Sequence, residues 1–299
     1  MAEVEEPGSK EPSRREASSM AEVEEPFSRC FEDLASLNTF LDVCLSGFER
    51  AREATGWLQV NREIAEAMKR PDPFPSDESL EDAKKNAERL EAFAKREAAT
   101  GHPYLYGIGV VRLWTILETM ADDVALLQLK ESRYNAAAEI LAKLRVPVLE
   151  FVGATPNEQA ELVLEELKRA TRAALQDGIA RFEAILSAVG LGGGIEDEVR
   201  KAIFECRQVR NLIVHRSGNV DARFLRACPW FRTRPEEPLP LQRNHFSYYL
   251  NASYAYSVEI LRRRRVATTG ETLPQSLVNA REKLLERVRG TEATRPKGL

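Results

Sequence analysis

The stretch from Tyr104 to Leu129, coiled as a helix, is apolar on nearly every side, broken only by Arg112, Glu118, Asp122 and Asp123. Such a helix has no solvent face to offer, so it belongs at the centre of a bundle with other helices packed around it. The same charges argue against a membrane span.

The rest of the chain supplies the surrounding helices. Phe31, Leu34, Leu37, Leu41, Cys44, Leu45 and Phe48 form a stripe at helical spacing within Phe27 to Lys69. The prolines of the Pro71–Asp77 linker deny both helix and central strand, and Ser76 or Asp77 is placed to cap a charged helix running to Thr100. Gly101-His102-Pro103 ends that helix, with His102 read as a loop residue. Asn135 to Phe151 reads as a helix broken by Pro147, and Thr155-Pro156 as a helix start with proline at its first position. Further helices are expected over Gln176–Ala188, from Ile195 to His215, over Phe246–Leu261 and over Pro274–Val288. The tyrosines Tyr248, Tyr249, Tyr254 and Tyr256 read as packing residues. No segment alternates as a strand would, so the fold class is all-α: a helical bundle with additional N-terminal helices.

Length and composition agree with one large folded unit or two smaller ones: 299 residues, 43% hydrophobic and 30% charged. The expected organisation is an acidic disordered tail over 1–26, an N-terminal helical region over 27–100, the main bundle over 101–266 and a C-terminal helix and tail over 267–299. The heptapeptide MAEVEEP stands at both Met1 and Met20, too short a repeat to be an architectural unit. Net charge is -4, yet arginines crowd the region after Arg200, so an acidic chain can still present a basic face. Cys30, Cys44, Cys206 and Cys228 are scattered, which suits reduced thiols in a cytoplasmic setting. No cysteine or histidine spacing fits a metal site, and no cofactor is expected. Gly190 and Gly192 to Gly194 follow a helix without the G-K-[ST] of a phosphate loop, so they read as a cap and turn.

One constellation looks chemical. Ile195, Val199, Ala202, Ile203, Cys206, Val209 and Ile213 form an apolar stripe that runs out at His215-Arg216-Ser217-Gly218, where Gly218 offers the positive φ of a helix cap. Arg210, Asn211 and His215 therefore gather at the end of a buried helix, with the imidazole in the last turn against the negative end of the dipole. Five residues place Arg210 and His215 about 140° apart on an ideal helix. They converge if the last turn unwinds, or if a two-fold axis brings a second copy alongside. A histidine near neutral pKa can take a proton from a ribose 2′-hydroxyl or give one to a leaving 5′-oxygen, while an arginine fork holds the phosphate. Glu118 reads either as a solvated edge of its helix or as the carboxylate that orients Arg210. Arg207, Arg216, Arg262 and Arg263 are candidate RNA-phosphate contacts. For the run Arg262 to Arg265 the alternative is a set of solvated cations closing a helix.

Arg210-Asn211-Leu212-Ile213-Val214-His215 resembles the R-N-x-x-x-H signature of the HEPN superfamily, and the wider run through Glu205, Val209, Gly218, Asp221 and Phe224 looks like HEPN-like domains of bacterial proteins. The resemblance covers about Tyr104 to Arg265 and is carried by the motif helix and its flank; Phe27 to Thr100 has no counterpart. It implies a dimeric helical bundle acting as a metal-independent ribonuclease of toxin–antitoxin or defence systems. RNA would be the substrate, an antitoxin protein a partner, and the products 2′,3′-cyclic phosphate and 5′-hydroxyl ends. By resemblance the catalytic roles fall on Arg210 and His215, with Asn211 as the supporting polar position. Relatives that keep the motif for fold stability alone imply the alternative, a noncatalytic dimerisation, interaction or sensing module.

Overall fold

The computed structural model describes residues 14–132 and 143–293. Among them are eleven α-helices and one 3-10 turn, with no strand beyond a single antiparallel bridge between Asn219 and Pro238. The helices are α1 (Arg14–Ala51), α2 (Ala54–Ala67), α3 (Asp77–Thr100), α4 (Pro103–Ser132), α5 (Val148–Gly153), α6 (Pro156–Ala170), α7 (Ala180–Ala188), α8 (Asp197–Arg216), α9 (Ala222–Ala227), α10 (Arg243–Thr269) and α11 (Gln275–Ala293). The protein is an all-α helical bundle. No helix among the described residues is long and apolar enough to cross a membrane.

α4 occupies the position its composition demands. Val110, Leu113, Trp114, Leu117, Ala121 and Val124 are buried along its length, and α1, α6, α7, α8 and α10 pack around it. α10 is the second central element, burying Phe246, Tyr248, Tyr249 and Tyr256 against α4, α8 and α11. Phe27, Leu34 and Leu41 of α1 belong to the same hydrophobic cluster as Leu285 and Val288 of α11. Helices on either side of the expected bundle limits at 101 and 266 thus contribute to one core. α2 is different: it packs mainly on α3 and leaves Trp57, Val60, Ile64 and Met68 exposed.

Local chemistry sets most boundaries. The Ser79 amide donates to the Ser76 hydroxyl and the Ser76 amide to the Ser79 hydroxyl, a capping box that starts α3. Thr155 and Glu158 do the same for α6, with Pro156 at the first helical position. Several expected limits shift. α1 begins at Arg14, so residues 14–26, expected as tail, are helical; a helix anchored by buried Phe27 and Cys30 extends readily into Glu- and Ala-rich sequence. The first MAEVEEP copy lies outside the described residues, as do residues 135–142 of the segment expected to be helical from Asn135; in the rest of it helix is found only from Val148, in Val148–Gly153. α7 starts at Ala180 rather than Gln176, after a 3-10 turn at Ala173–Leu175. α10 continues to Thr269, well past Leu261.

Candidate active site

α8 is gripped from behind before it presents its end. Val199, Ala202, Ile203, Cys206, Val209 and Leu212 are buried. The Glu205 carboxylate, also fully buried, accepts from the Trp230 indole N–H and the Tyr249 hydroxyl, tying the helix to the loop after α9 and to α10. Lys201 pairs with Glu292 and lies 4.4 Å from the Trp230 ring centroid. The helix stays regular through Arg216. Its cap falls on Ser217, one residue before the expected Gly218; both adopt positive φ, 52° and 82°, and the Gly218 amide donates to the Leu212 carbonyl.

Beyond that rigid element lies an open cleft of about 770 Å³. Arg210, Asn211, His215 and Arg216 line it from α8, Trp114 and Glu118 from α4, Arg181 from α7, and Arg223 and Phe224 from α9. Arg210 and His215 thus share one cleft within a single chain, without the unwound turn or second copy expected to be needed. The cleft wraps around the helix end, so residues about 140° apart both reach it. His215 is exposed and Arg210 half-buried. Arg210 Nη1 donates to Asn211 Oδ1 at 3.4 Å, and its buried Nε has no protein partner.

Five arginines (Arg181, Arg207, Arg210, Arg216 and Arg223) face two carboxylates, Glu118 and Asp221, across this space. The excess makes the space electropositive even in a chain of net charge -4. Glu118 does not orient Arg210: its carboxylate pairs with Arg181 at 3.0 Å, because the start of α7 faces that turn of α4. Arg207 donates to the Gln176 carbonyl and pairs with Asp177. Burial pulls the Arg207 guanidinium below its ordinary value; Arg181 and Arg210 push the same way, while Asp177 and Glu118 oppose. Arg216 is exposed, 3.7 Å from Asp221, whose other oxygen caps α9 by accepting from the Phe224 amide.

The proposed phosphate contacts on α10 do not join this cleft. Arg263 is buried, and its guanidinium is used up by Glu183, Glu259 and the carbonyls of Leu191 and Gly194. Arg262 is bidentate to Glu259. Arg264 is buried against Gln128 and Glu131, and Arg265 pairs with Glu271. The run lies inside a continuing helix rather than at its end, and Arg263 and Arg264 staple that helix to its neighbours, while Arg262 is half-exposed and held by Glu259 of the same helix. The glycine cluster is the other half of this device. A Cβ on Gly193 would stand 2.7 Å from Arg263 Nε, so only glycine lets that loop close over the guanidinium.

The remaining histidines sit elsewhere: His102 packs on Phe48, and His245 stacks on Phe231 while its Nδ1 accepts from the Gln242 amide. Among the described residues no cluster of His, Cys, Asp or Glu could hold a metal ion. The chain matches no protein-family model, no curated protein and no solved structure. Sequence reasoning missed Arg181 and Arg223, whose surroundings carry no spacing signal; both reach the site only because α7 and α9 flank the end of α8.

Proposed function

We propose that the protein is a HEPN-type, metal-independent endoribonuclease, working in the cytoplasm as a toxin or defence effector held in check by a partner such as an antitoxin protein. The observation that carries this reading is the shared cleft: Arg210 and His215 line one open, arginine-rich space at the exit of a firmly held helix. In the reaction, the ribose 2′-oxygen attacks phosphorus and the P–O5′ bond breaks, leaving a 2′,3′-cyclic phosphate and a 5′-hydroxyl. His215 removes the 2′-proton or protonates the 5′-oxygen, and solvent water carries the other proton transfer. The Arg210 guanidinium, with no carboxylate partner among the described residues, is available to hold the phosphate and its developing charge. Asn211 keeps that guanidinium in place.

The decisive test incubates the purified protein with mixed RNA in chelator. Wild type is expected to generate 5′-hydroxyl ends and His215→Ala to generate none; intact RNA with wild type would sink the enzyme reading.

A second reading, the noncatalytic dimerisation or interaction module, draws on the opposite side of the same helix end. There an apolar groove of about 420 Å³ is lined by Tyr104, Ile108, Ile213 and Leu239, with Val214 exposed. The two readings differ in chemistry: uncleaved RNA removes the nuclease, and a monomer in solution removes dimerisation through this groove.

A further inference from the structure

The arginine cleft does not end at Glu118 and Arg181. The same two residues also line a smaller cavity of about 220 Å³, whose far side carries Lys168 and Asp122. Their ion pair therefore stands as a wall between two spaces. It is a light wall: Arg181 is held through one nitrogen to one carboxylate oxygen, and both side chains are about one-third exposed. Two neighbouring cations are more firmly tied. Arg207 is bound to a carbonyl as well as a carboxylate, and Lys168 pairs with both Asp122 and Glu165. Arg181 and Arg210 each bear electrostatically on Arg207, a crowding that a bound anion would relieve.

Resting on the ribonucleotide reading of this cleft, we propose that Arg181 is a second phosphate-binding residue, drawn away from Glu118 by a ligand that carries two or more phosphodiester groups. One phosphate sits at Arg210 beside His215. The next lies deeper, where Arg181 replaces its single carboxylate contact with a phosphate and the wall opens toward Lys168. Glu118 is then the competitor that keeps Arg181 occupied when no polyanion is present. The substrate class is accordingly an oligonucleotide strand rather than a mononucleotide or a single phosphodiester.

The test uses 2′-O-methylated UpU and UpUpU, which carry one and two phosphodiesters and resist cleavage through the blocked 2′-oxygen. Wild type is expected to bind the trinucleotide about tenfold more tightly than the dinucleotide, the worth of one charge-assisted contact. Arg181→Ala should erase most of that difference and flatten the salt dependence by about 0.7 in the log–log slope. Glu118→Gln should strengthen trinucleotide binding about threefold by weakening the competing ion pair. A pair with a merely structural role would make both variants bind worse, and that result overturns the proposal. So does an Arg181→Ala variant that weakens both ligands equally or neither. Loss of UpU and UpUpU binding by wild type would sink the ribonucleotide reading along with it. Binding as expected without cleavage of unmodified RNA would leave this proposal standing and remove only the nuclease.

Discussion

Arg210 and Arg263 are both arginines on bundle helices, the first expected as a catalytic residue and the second as a phosphate contact; their surroundings make them opposites. Arg263 meets two carboxylates and two carbonyls in the interior, so truncating it takes the cation away from Glu183, which keeps the Tyr256 hydroxyl, and one of three arginines away from buried Glu259. Arg263→Ala is expected to cost about 3–5 kcal/mol, read from chemical denaturation. Among the described residues Arg210 has only Asn211 as a hydrogen-bond partner, so Arg210→Lys should leave stability nearly unchanged. It should still lower cleavage at least ~100-fold, since a lysine cannot hold a phosphate with a planar fork. Glu259 supplies a pH signature. Burial raises its carboxyl, but hydrogen bonds from Arg262 and Arg263 and the Arg281 charge outweigh it and hold the group below its usual range. A depressed carboxyl stabilises the fold above its unfolded value of about 4.3, and that contribution is lost as pH falls through the folded one. Glu259→Gln should therefore show a shallower loss of stability than wild type between about pH 4.5 and 2, measured by unfolding at fixed pH.

At the scale of elements, α8 illustrates how a helix becomes a platform. Its apolar stripe buries one face, but the register at its exit depends on buried Glu205 and its bonds to Trp230 and Tyr249. Replacing Glu205 with Leu removes the carboxylate that accepts from both Trp230 and Tyr249. The variant should lose about 2–4 kcal/mol of stability. The loop before α8 has its own constraint at Gly193. Because the Arg263 guanidinium beneath it is pinned on every nitrogen, it has little room to move aside. Gly193→Ala is expected to destabilise by about 1–3 kcal/mol in a thermal or urea melt. Gly190 and Gly192 to Gly194 were readable as a turn from composition. That they close over a buried cation was not, because the cation comes from α10, far along the chain.

The whole molecule shares one hydrophobic cluster from Phe27 to Val288, and the bundle should unfold in a single cooperative transition by fluorescence and circular dichroism alike. The hairpin of α2 and α3 is the exception. α2 rests mainly on α3, and its amides should exchange with deuterium well ahead of those in α4. By itself the sequence determined the all-α class, the central place of α4, the α3 and α6 caps and the presence of Arg210 and His215 near one helix exit. Each of these follows from patterns within a few turns of chain: apolar periodicity, a capping serine or threonine, a proline, a glycine. Only the tertiary structure decided that Glu118 answers to Arg181, that Arg263 belongs to the interior, and that Arg223 completes the cleft. Those outcomes depend on which helices lie side by side. A charged residue looks the same in sequence whether its partner across the bundle is a carboxylate, a carbonyl or open water.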